Sequence, residues 1–373
     1  MIFFNVPSIT KLEREYIAES LSGKLSGDGP YTKKASTLFE KATGVAGMIL
    51  TTSGTHSLEL AALLCDISPG DEVILPSFTF SSTANAFLLR GAKLVFCDIR
   101  PDTLNMDESL LPSLITPKTK AIVPVHYAGV GCEMNEINAL AEGHCIYVIE
   151  DAAHAVGSTY NGQQCGELSD IGCYSFHETK NYCMGEGGGI VIRNSEMRKL
   201  AEVIREKGTD RSSFWRGEVD KYTWRQPGSS FLPSDVLAAM LCAQIMRFDE
   251  IMQSRMRVWN TYHTAFDSIE ERGWRRPVVP CKCVHNAHMY YLIAPDAAER
   301  ARFIASLKEQ GVHAVSHYEP LHASPMGLAA GYRPKDLPLT VDYAARLVRL
   351  PMWAGMDEDD VAAVISVVST VTA

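Results

Sequence analysis

Ile171-Gly-Cys-Tyr-Ser-Phe-His-Glu-Thr-Lys-Asn-Tyr-Cys-Met-Gly-Glu-Gly-Gly-Gly189 is the stretch on which the reading of this chain turns. A short apolar run, Ile171 to Phe176, ends abruptly in polar residues, and Lys180 follows in what reads as a loop. Past a cluster of glycines, Ile190-Val-Ile192 is a second β-branched run of the kind found in strands. A lysine between two buried strands, among glycines that permit tight turns and close backbone approach, can condense with an aldehyde once its amine is desolvated. Taken alone, the stretch fits a solvated loop lysine better, so its surroundings must decide.

Immediately upstream, Ile146-Tyr-Val-Ile149 reads as a strand that runs into Glu150-Asp-Ala-Ala-His154. A carboxylate just past a buried strand, among small residues, is poorly solvated and calls for a cationic partner. A helix cap at Asp151 is an equal reading of that segment. Ser175 ends the strand before Lys180. Further back, Ser53-Gly54-Thr55 separates strand-like residues 48–52 from a helical segment, 56–65, where free backbone N–H groups and the helix dipole favour a phosphate. The Gly-x-x-x-x-Gly-Lys pattern of a P-loop is absent. Phe78 and Phe80 follow a strand over 71–75; either can stack on a flat ring, although core is the default for an aromatic there.

These pieces belong to an alternating pattern. Strands are expected at 93–97 and 121–125, with helices over 79–89 and 134–142. Such alternation implies a parallel sheet with helices on its faces, joined by right-handed crossovers, and ligands outside the carboxyl ends of the strands. Ahead of it, a helix over 9–21, capped by Ser8 or Thr10, and a helix over 32–43 flank a loop at 22–30. Gly27, Asp28 and Gly29 in that loop are weak candidates for a substrate lid. From Leu237 one long helix is expected to run to about Phe266. Strands over 289–294 and 311–315, a helix over 298–310 and a terminal helix from Asp357 to Val371 follow. The expectation is a large, mostly parallel α/β domain over 1–250 and a smaller C-terminal α+β domain over 251–373.

The composition agrees. A chain of 373 residues suits two units, and 46% hydrophobic with 21% charged residues is that of a globular protein rather than a disordered one. A net charge of -9 without a basic stripe argues against a nucleic-acid partner, though not against an anionic small molecule. Of the ten cysteines only Cys281 and Cys283 are close, a poor zinc signal, so no metal site is expected. Met1-Ile-Phe-Phe-Asn-Val-Pro7 lacks the pattern of a signal peptide, and no apolar run is long enough to span a bilayer, so a cytoplasmic location with no membrane partner is expected. A phosphate cradle, a carboxylate, an aromatic face and an aldehyde-binding lysine are together what pyridoxal 5′-phosphate (PLP) requires. The lysine holds the aldehyde, and the carboxylate keeps the pyridine nitrogen protonated so that the ring serves as an electron sink.

Thr52-Ser-Gly-Thr55, Gly70-Asp-Glu-Val-Ile-Leu-Pro-Ser77, Val123-Pro-Val-His-Tyr-Ala-Gly129, Ile149-Glu-Asp-Ala-Ala-His-Ala155 and Ser175-Phe-His-Glu-Thr-Lys-Asn181 resemble the DegT/DnrJ/EryC1/StrS family of sugar aminotransferases. The resemblance runs on to Pro320-Leu-His322 and Leu350-Pro-Met-Trp353. It implies the PLP-dependent transferase type I (aspartate aminotransferase-like) fold and PLP as cofactor. A nucleotide ketosugar and L-glutamate as substrates, and a homodimer with shared active sites, are implied as well. Carried over residue by residue, Lys180 is similar to the lysine that holds the cofactor and shuttles the proton. Asp151 resembles the partner of the pyridine nitrogen, and His154 the residue near the phenolic oxygen. Phe80 resembles the stacking aromatic, and Gly54, Thr55 and Ser175 the phosphate ligands.

One departure stands out. Where many members carry an asparagine that reaches the neighbouring subunit's phosphate, this chain has Leu232, leaving Ser229 or Ser230 as substitutes. Arg205-Glu-Lys-Gly-Thr-Asp-Arg211 and Val219-Asp-Lys-Tyr-Thr-Trp-Arg225 are most similar to members that aminate C4 of dTDP-4-dehydro-6-deoxy-D-glucose to the 4-amino-galactose product. A UDP- or GDP-linked ketosugar, or the gluco epimer, is the alternative. Sugar dehydratases of this fold replace the lysine by histidine, which Lys180 opposes. A non-catalytic PLP-binding regulator usually carries an added DNA-binding module, and segments before Met48 or after Phe266 leave no room for one. An amino-acid aminotransferase would need an arginine clamp for a second carboxylate.

Overall fold

In the computed structural model, which describes residues 1–372, the runs on either side of the Lys180 loop are neighbouring strands of one seven-stranded sheet. Its strands are β1 (Ile49–Thr51), β2 (Glu72–Pro76), β3 (Lys93–Cys97), β4 (Thr119–Ile122), β5 (Tyr147–Asp151), β6 (Ile171–Ser175) and β7 (Gly188–Ile192). They lie in the order β1-β7-β6-β5-β4-β2-β3. From β6 to β3 every neighbouring pair is parallel, whereas β7 runs antiparallel to both β6 and β1. The sheet is therefore mostly parallel, with the reversal located at the Lys180 loop. The reason is local. A parallel return needs a crossover, usually a helix, and residues 176–187 instead fold back on themselves, Phe176 N–H donating to the Gly187 carbonyl (2.8 Å) and Met184 N–H to that of Phe176 (2.9 Å).

Every residue of β2, β6 and β7 is buried, as expected of strands covered on both faces. One core on this sheet gathers Phe39, Tyr174, Phe176 and Leu241; another gathers Leu60, Phe87, Ile149 and Ile190. A separate core, containing Trp259, Tyr262, Tyr290, Phe303 and Val364, surrounds the antiparallel pair β8 (Tyr290–Ile293) and β9 (Leu347–Leu350). All ten cysteines are unpaired, and of these only Cys145 and Cys281 are exposed. No helix among the described residues is long and apolar enough to cross a membrane.

Local expectations fail where tertiary contacts decide. The long helix expected from Leu237 is two, Asp235–Met246 and Phe248–Ala265, broken at Arg247. The Arg247 guanidinium reaches back to Glu13 (2.9 Å) and to the Ser8 carbonyl (3.3 Å), partners invisible to helical periodicity. Residues 311–315 form no strand; they make two isolated bridges, Ile2 with Val312 and Val315 with Arg349. Thr10, rather than Ser8, caps the first helix, in a reciprocal capping box with Glu13.

Glu150 and Asp151 are adjacent in β5, so their side chains leave opposite faces of the sheet. Glu150 is fully buried and accepts from the N–H groups of Gly166 (2.6 Å), Leu168 (2.8 Å) and Ser169 (2.9 Å), and pairs with His126 Nε2 (2.8 Å). It fastens the 166–169 turn beneath β6. Glu150→Ala is expected to lower stability by about 3–5 kcal/mol, the usual cost of orphaning a buried charge partner, in denaturant unfolding. A loss within a few tenths would show that water replaces the carboxylate.

Candidate active site

The carboxyl ends of β5 and β6, the first turns of the helices Gly54–Leu64 and Ser81–Leu88, and residues from β9 and the 313–318 segment enclose one cavity of about 650 Å³. Lys180, Asp151, His154, Phe80, Gly54, Thr55 and Ser175 all line it.

Lys180 sits on an anchored loop. Its own N–H donates to the His177 carbonyl (2.9 Å), and the next side chain, Asn181, bonds the Asn286 carbonyl (2.8 Å) and His288 Nδ1 (2.9 Å). Lys180 is half-buried because it faces the cavity, while the protein packed around its amine strips away most water. That desolvation pulls its pKa down to about 8; Asp151 opposes the shift and the Arg349 charge adds to it. No carboxylate among the described residues lies within ion-pair distance of the amine. Depression of a lysine pKa favours the neutral, nucleophilic form above the new value. Condensation of the apoprotein with added PLP, followed by absorbance, is therefore expected to quicken as pH rises from 6 and to level off near pH 8. A rate still climbing towards 10.5, the ordinary lysine value, would show a solvated amine.

Asp151 is buried, at 5% exposure, and its oxygens are fixed: Oδ2 accepts from Thr83 Oγ1 (2.7 Å) and Oδ1 from Ala153 N–H (3.1 Å). Thr83 is in turn bonded to Thr79 (2.8 Å). Asp151 caps no helix, and no lysine or arginine pairs with it among the described residues, so an oriented carboxylate faces the cavity without its cation. A buried charge in that position calls for a ligand N–H of positive character.

His154 accepts or donates at Nε2 to the Tyr318 hydroxyl (3.1 Å) and stacks on His288 with ring centroids 4.1 Å apart. Its Nδ1 is buried without a partner. Burial, then the charges of Lys180 and Arg349, hold its pKa well below the usual histidine value, so the ring is neutral. An orphaned ring nitrogen on a ligand cavity is a place for a ligand atom.

Ser53 caps the helix Gly54–Leu64, its Oγ accepting from His56 N–H (3.0 Å), while the N–H groups of Gly54 and Thr55 belong to the first turn and have no acceptor within the helix. Close approach brings this turn to Ser175. A Cβ on Gly188 would lie 2.3 Å from the Ser53 carbonyl carbon, and one on Gly54 would lie 2.8 Å from Ser175 Cβ. The bare backbone at both positions lets a helix N-terminus and a strand end share a small polar cradle, the geometry an anion requires. Thr55 Oγ1 is bonded to Ser82 Oγ (2.7 Å), which extends the cradle to the second helix. Cradle, cation-less carboxylate, orphaned imidazole and desolvated amine together fit PLP.

The two phenylalanines part company. Phe78 is core, 1% exposed and 5.0 Å from the Tyr127 ring, whereas Phe80, 59% exposed, faces the cavity, against the core default. Residues 26–31 do not line this cavity. Their loop is tied down by Arg205 on Asp28 (2.6 Å) and by Asp235 on the N–H groups of Tyr31 (3.1 Å) and Thr32 (2.7 Å). Leu232, Ser229 and Ser230 do not line it either. Sequence reasoning missed Thr83, Ser82, His288 and Arg349 as cavity residues, whereas His317 and Tyr318 lie in the 317–322 loop that the sequence offers for holding the sugar. The available signal for Arg349 was its adjacency to Leu350-Pro-Met-Trp353. His322 itself is turned away, bonded through Nδ1 to Ser77 Oγ (2.6 Å).

Comparison with known proteins agrees with this chemistry. The chain matches the DegT/DnrJ/EryC1/StrS aminotransferase family over residues 7–369. It is 34% identical to the spore coat polysaccharide biosynthesis protein SpsC of Bacillus subtilis, over 98% of this chain and 95% of that protein. The solved aminotransferase TlmJ from Streptoalloteichus hindustanus superposes with a TM-score of 0.91 at 29% identity, covering 100% of this chain and 98% of that one. The PLP-form of Spr1654 from Streptococcus pneumoniae gives a TM-score of 0.92 at 26% identity, covering 100% and 97%. The chain belongs to the DegT/DnrJ/EryC1/StrS aminotransferase family and is a PLP-dependent transaminase of α/β, type I fold.

Proposed function

We propose that this transaminase moves the amino group of L-glutamate to C4 of dTDP-4-dehydro-6-deoxy-D-glucose, giving dTDP-4-amino-4,6-dideoxy-D-galactose and 2-oxoglutarate. The observation that carries the transamination is a desolvated, unpaired Lys180 in one cavity with Asp151, a buried carboxylate that lacks its cation. Bound PLP supplies an aldehyde for that amine and a pyridine ring that withdraws electrons when protonated. Asp151 would keep the ring proton in place, Gly54, Thr55 and Ser175 would hold the phosphate, and Phe80 would cover the ring. His154, with its unpartnered Nδ1, would face the phenolic oxygen. Lys180, as free amine, takes the proton from Cα of the donor and later delivers one to C4 of the sugar. Delivery from one side yields a single epimer.

The choice of sugar rests on the resemblance over residues 205–211 and 219–225, and SpsC, named for polysaccharide biosynthesis, is compatible with it. Trp224, in the second of these segments, and Trp215, between the two, are 77% and 69% exposed, an apolar surface that association into a homodimer would cover. The deciding experiment offers purified enzyme and L-glutamate a panel of dTDP-, UDP- and GDP-linked ketosugars and identifies the product by NMR. Amination of only a UDP or GDP sugar, or formation of the gluco epimer, would overturn the substrate and leave the transaminase intact.

A further inference from the structure

We propose that Asn5 reads a ring hydroxyl of the sugar substrate, an inference that rests on the ketosugar reading and adds a specificity-determining residue to it. Asn5 lies ahead of the first helix, in a segment that crosses between two of the cores. At one end, Ser8 is held where the helices Asp235–Met246 and Phe248–Ala265 part. Its carbonyl accepts from Gln244 Nε2 (2.8 Å) and its Oγ from Arg247 Nη2 (3.1 Å). At the other end, Ile2 N–H donates to the Gly311 carbonyl (2.7 Å), and the Ile2 carbonyl accepts from His313 N–H (3.0 Å). The Phe4 carbonyl accepts from Met352 N–H (3.3 Å), and the Phe4 ring lies on the Arg349 guanidinium, 4.6 Å from centroid to central carbon. With both ends fixed the segment is a strap, and it lays Phe4 and Asn5 along the wall of the Lys180 cavity.

Asn5 is half-buried, and neither its side chain nor its backbone makes a hydrogen bond to any described residue. It is the only side-chain amide among the described residues that line the cavity. The hydroxyls there are already spent: Thr55 on Ser82 (2.7 Å), Thr79 on Thr83 (2.8 Å), Thr83 on Asp151 (2.7 Å) and Thr179 on His177 (2.9 Å). Asn5 keeps two N–H donors and a carbonyl acceptor in hand.

Asn181 and Asn286, behind the lysine loop, make a useful contrast. Asn181 bonds the Asn286 carbonyl (2.8 Å) and His288 Nδ1 (2.9 Å), while Asn286 Nδ2 donates to the carbonyls of His154 (2.7 Å) and Val156 (2.9 Å). Those amides hold the fold together. Asn5 holds nothing in it.

Chemistry selects the ligand group. An L-glutamate donor brings an ammonium and two carboxylates, which charged side chains bind best. The sugar brings hydroxyls. On the pyranose of dTDP-4-dehydro-6-deoxy-D-glucose these are at C2 and C3, because C1 carries the nucleotide, C4 is the ketone and C6 is a methyl. A hydroxyl is donor and acceptor at once, as an uncharged amide is. The wall beside the strap suits the same ligand, since Val315, Leu350 and Met352 line the cavity there. The C–H edge of a pyranose and a C6 methyl gain by leaving water for such an apolar face.

The test follows the two half-reactions separately in single turnovers, by absorbance of the bound cofactor. Asn5 bonds nothing in the fold, so Asn5→Ala should fold as wild type. The dTDP-4-dehydro-6-deoxy-D-glucose concentration that half-saturates the amino-loaded enzyme is expected to rise about 10-fold, the scale of one neutral hydrogen bond, with the maximal rate kept. The half-reaction with L-glutamate should be that of wild type in both rate and affinity. Ketosugars lacking the C2 or the C3 hydroxyl supply a second arm: with one of them the Asn5→Ala penalty should vanish, because its partner is already gone. Unchanged sugar binding in Asn5→Ala would overturn the proposal. So would a penalty undiminished with both analogues, or an equal defect with L-glutamate. A wild-type enzyme that takes the amino group of L-glutamate but accepts no nucleotide ketosugar would instead sink the substrate reading, and the assignment with it.

Discussion

Lys180→Ala is expected to lower turnover by at least about 10⁴-fold, the upper end of what one positioned proton-transfer group contributes. Two functions disappear together: the amine that holds the aldehyde and the base that carries the substrate proton. The cofactor should still bind, because the Gly54–Thr55 turn, Ser175 and Asp151 are untouched by the change. Borohydride reduction gives the cleanest measurement. Wild-type protein should keep a covalent label that peptide mapping places on Lys180, while Lys180→Ala keeps none. A label on another lysine would remove Lys180 from the chemistry altogether. Lys180→Arg separates charge from nucleophilicity, since a guanidinium restores the cation but cannot condense; it should be as inactive as the alanine variant.

Asp151→Asn should cost roughly 10²–10⁴-fold in rate while cofactor stays bound, because an amide is nearly isosteric but does not stabilise a protonated ring. The surroundings make the test sharp. Thr83 and Ala153 fix both carboxylate oxygens, at 2.7 and 3.1 Å; the amide can stay in the same place with its oxygen accepting from Ala153 N–H and its NH2 donating to Thr83 Oγ1. The visible spectrum of the bound cofactor reports the protonation of the ring directly, apart from activity. Near wild-type turnover with an unshifted spectrum would leave Asp151 a structural group of β5.

How much of this was legible beforehand follows a physical line. A strand such as Ile171–Ser175 was readable because both faces are buried, leaving an apolar run with a polar stop. The sense of β7 was not, since direction is set by the hydrogen bonds of the 176–187 loop rather than by composition. The break at Arg247 and the loss of a strand at 311–315 likewise depend on partners more than a hundred residues away or at the N-terminus, Glu13 and Ile2. For the cavity, residues inside local motifs could be found: a lysine after a strand, an acid after a strand, a Ser-Gly-Thr turn. His288 could not, and Arg349 only through its neighbouring motif, because their meaning comes from contacts between segments far apart in sequence. Phe78 and Phe80 show the limit at its smallest. Two residues apart, they are equivalent in sequence, and only the start of the next helix at Ser81 turns one inward and the other out.

The distribution of thiols offers a gauge of integrity that needs no substrate. Of the ten cysteines, Cys145 and Cys281 are exposed and the other eight are buried in the fold. Burial also raises the pKa of thiols such as Cys65, Cys97 and Cys173, which withholds the reactive thiolate. A colorimetric thiol reagent should thus titrate two groups quickly in native enzyme and all ten in denaturant. Neither fast group lines the cavity, so a fluorophore can be attached there without touching the chemistry. Slow appearance of the remaining eight would time the opening of the cores, strand by strand.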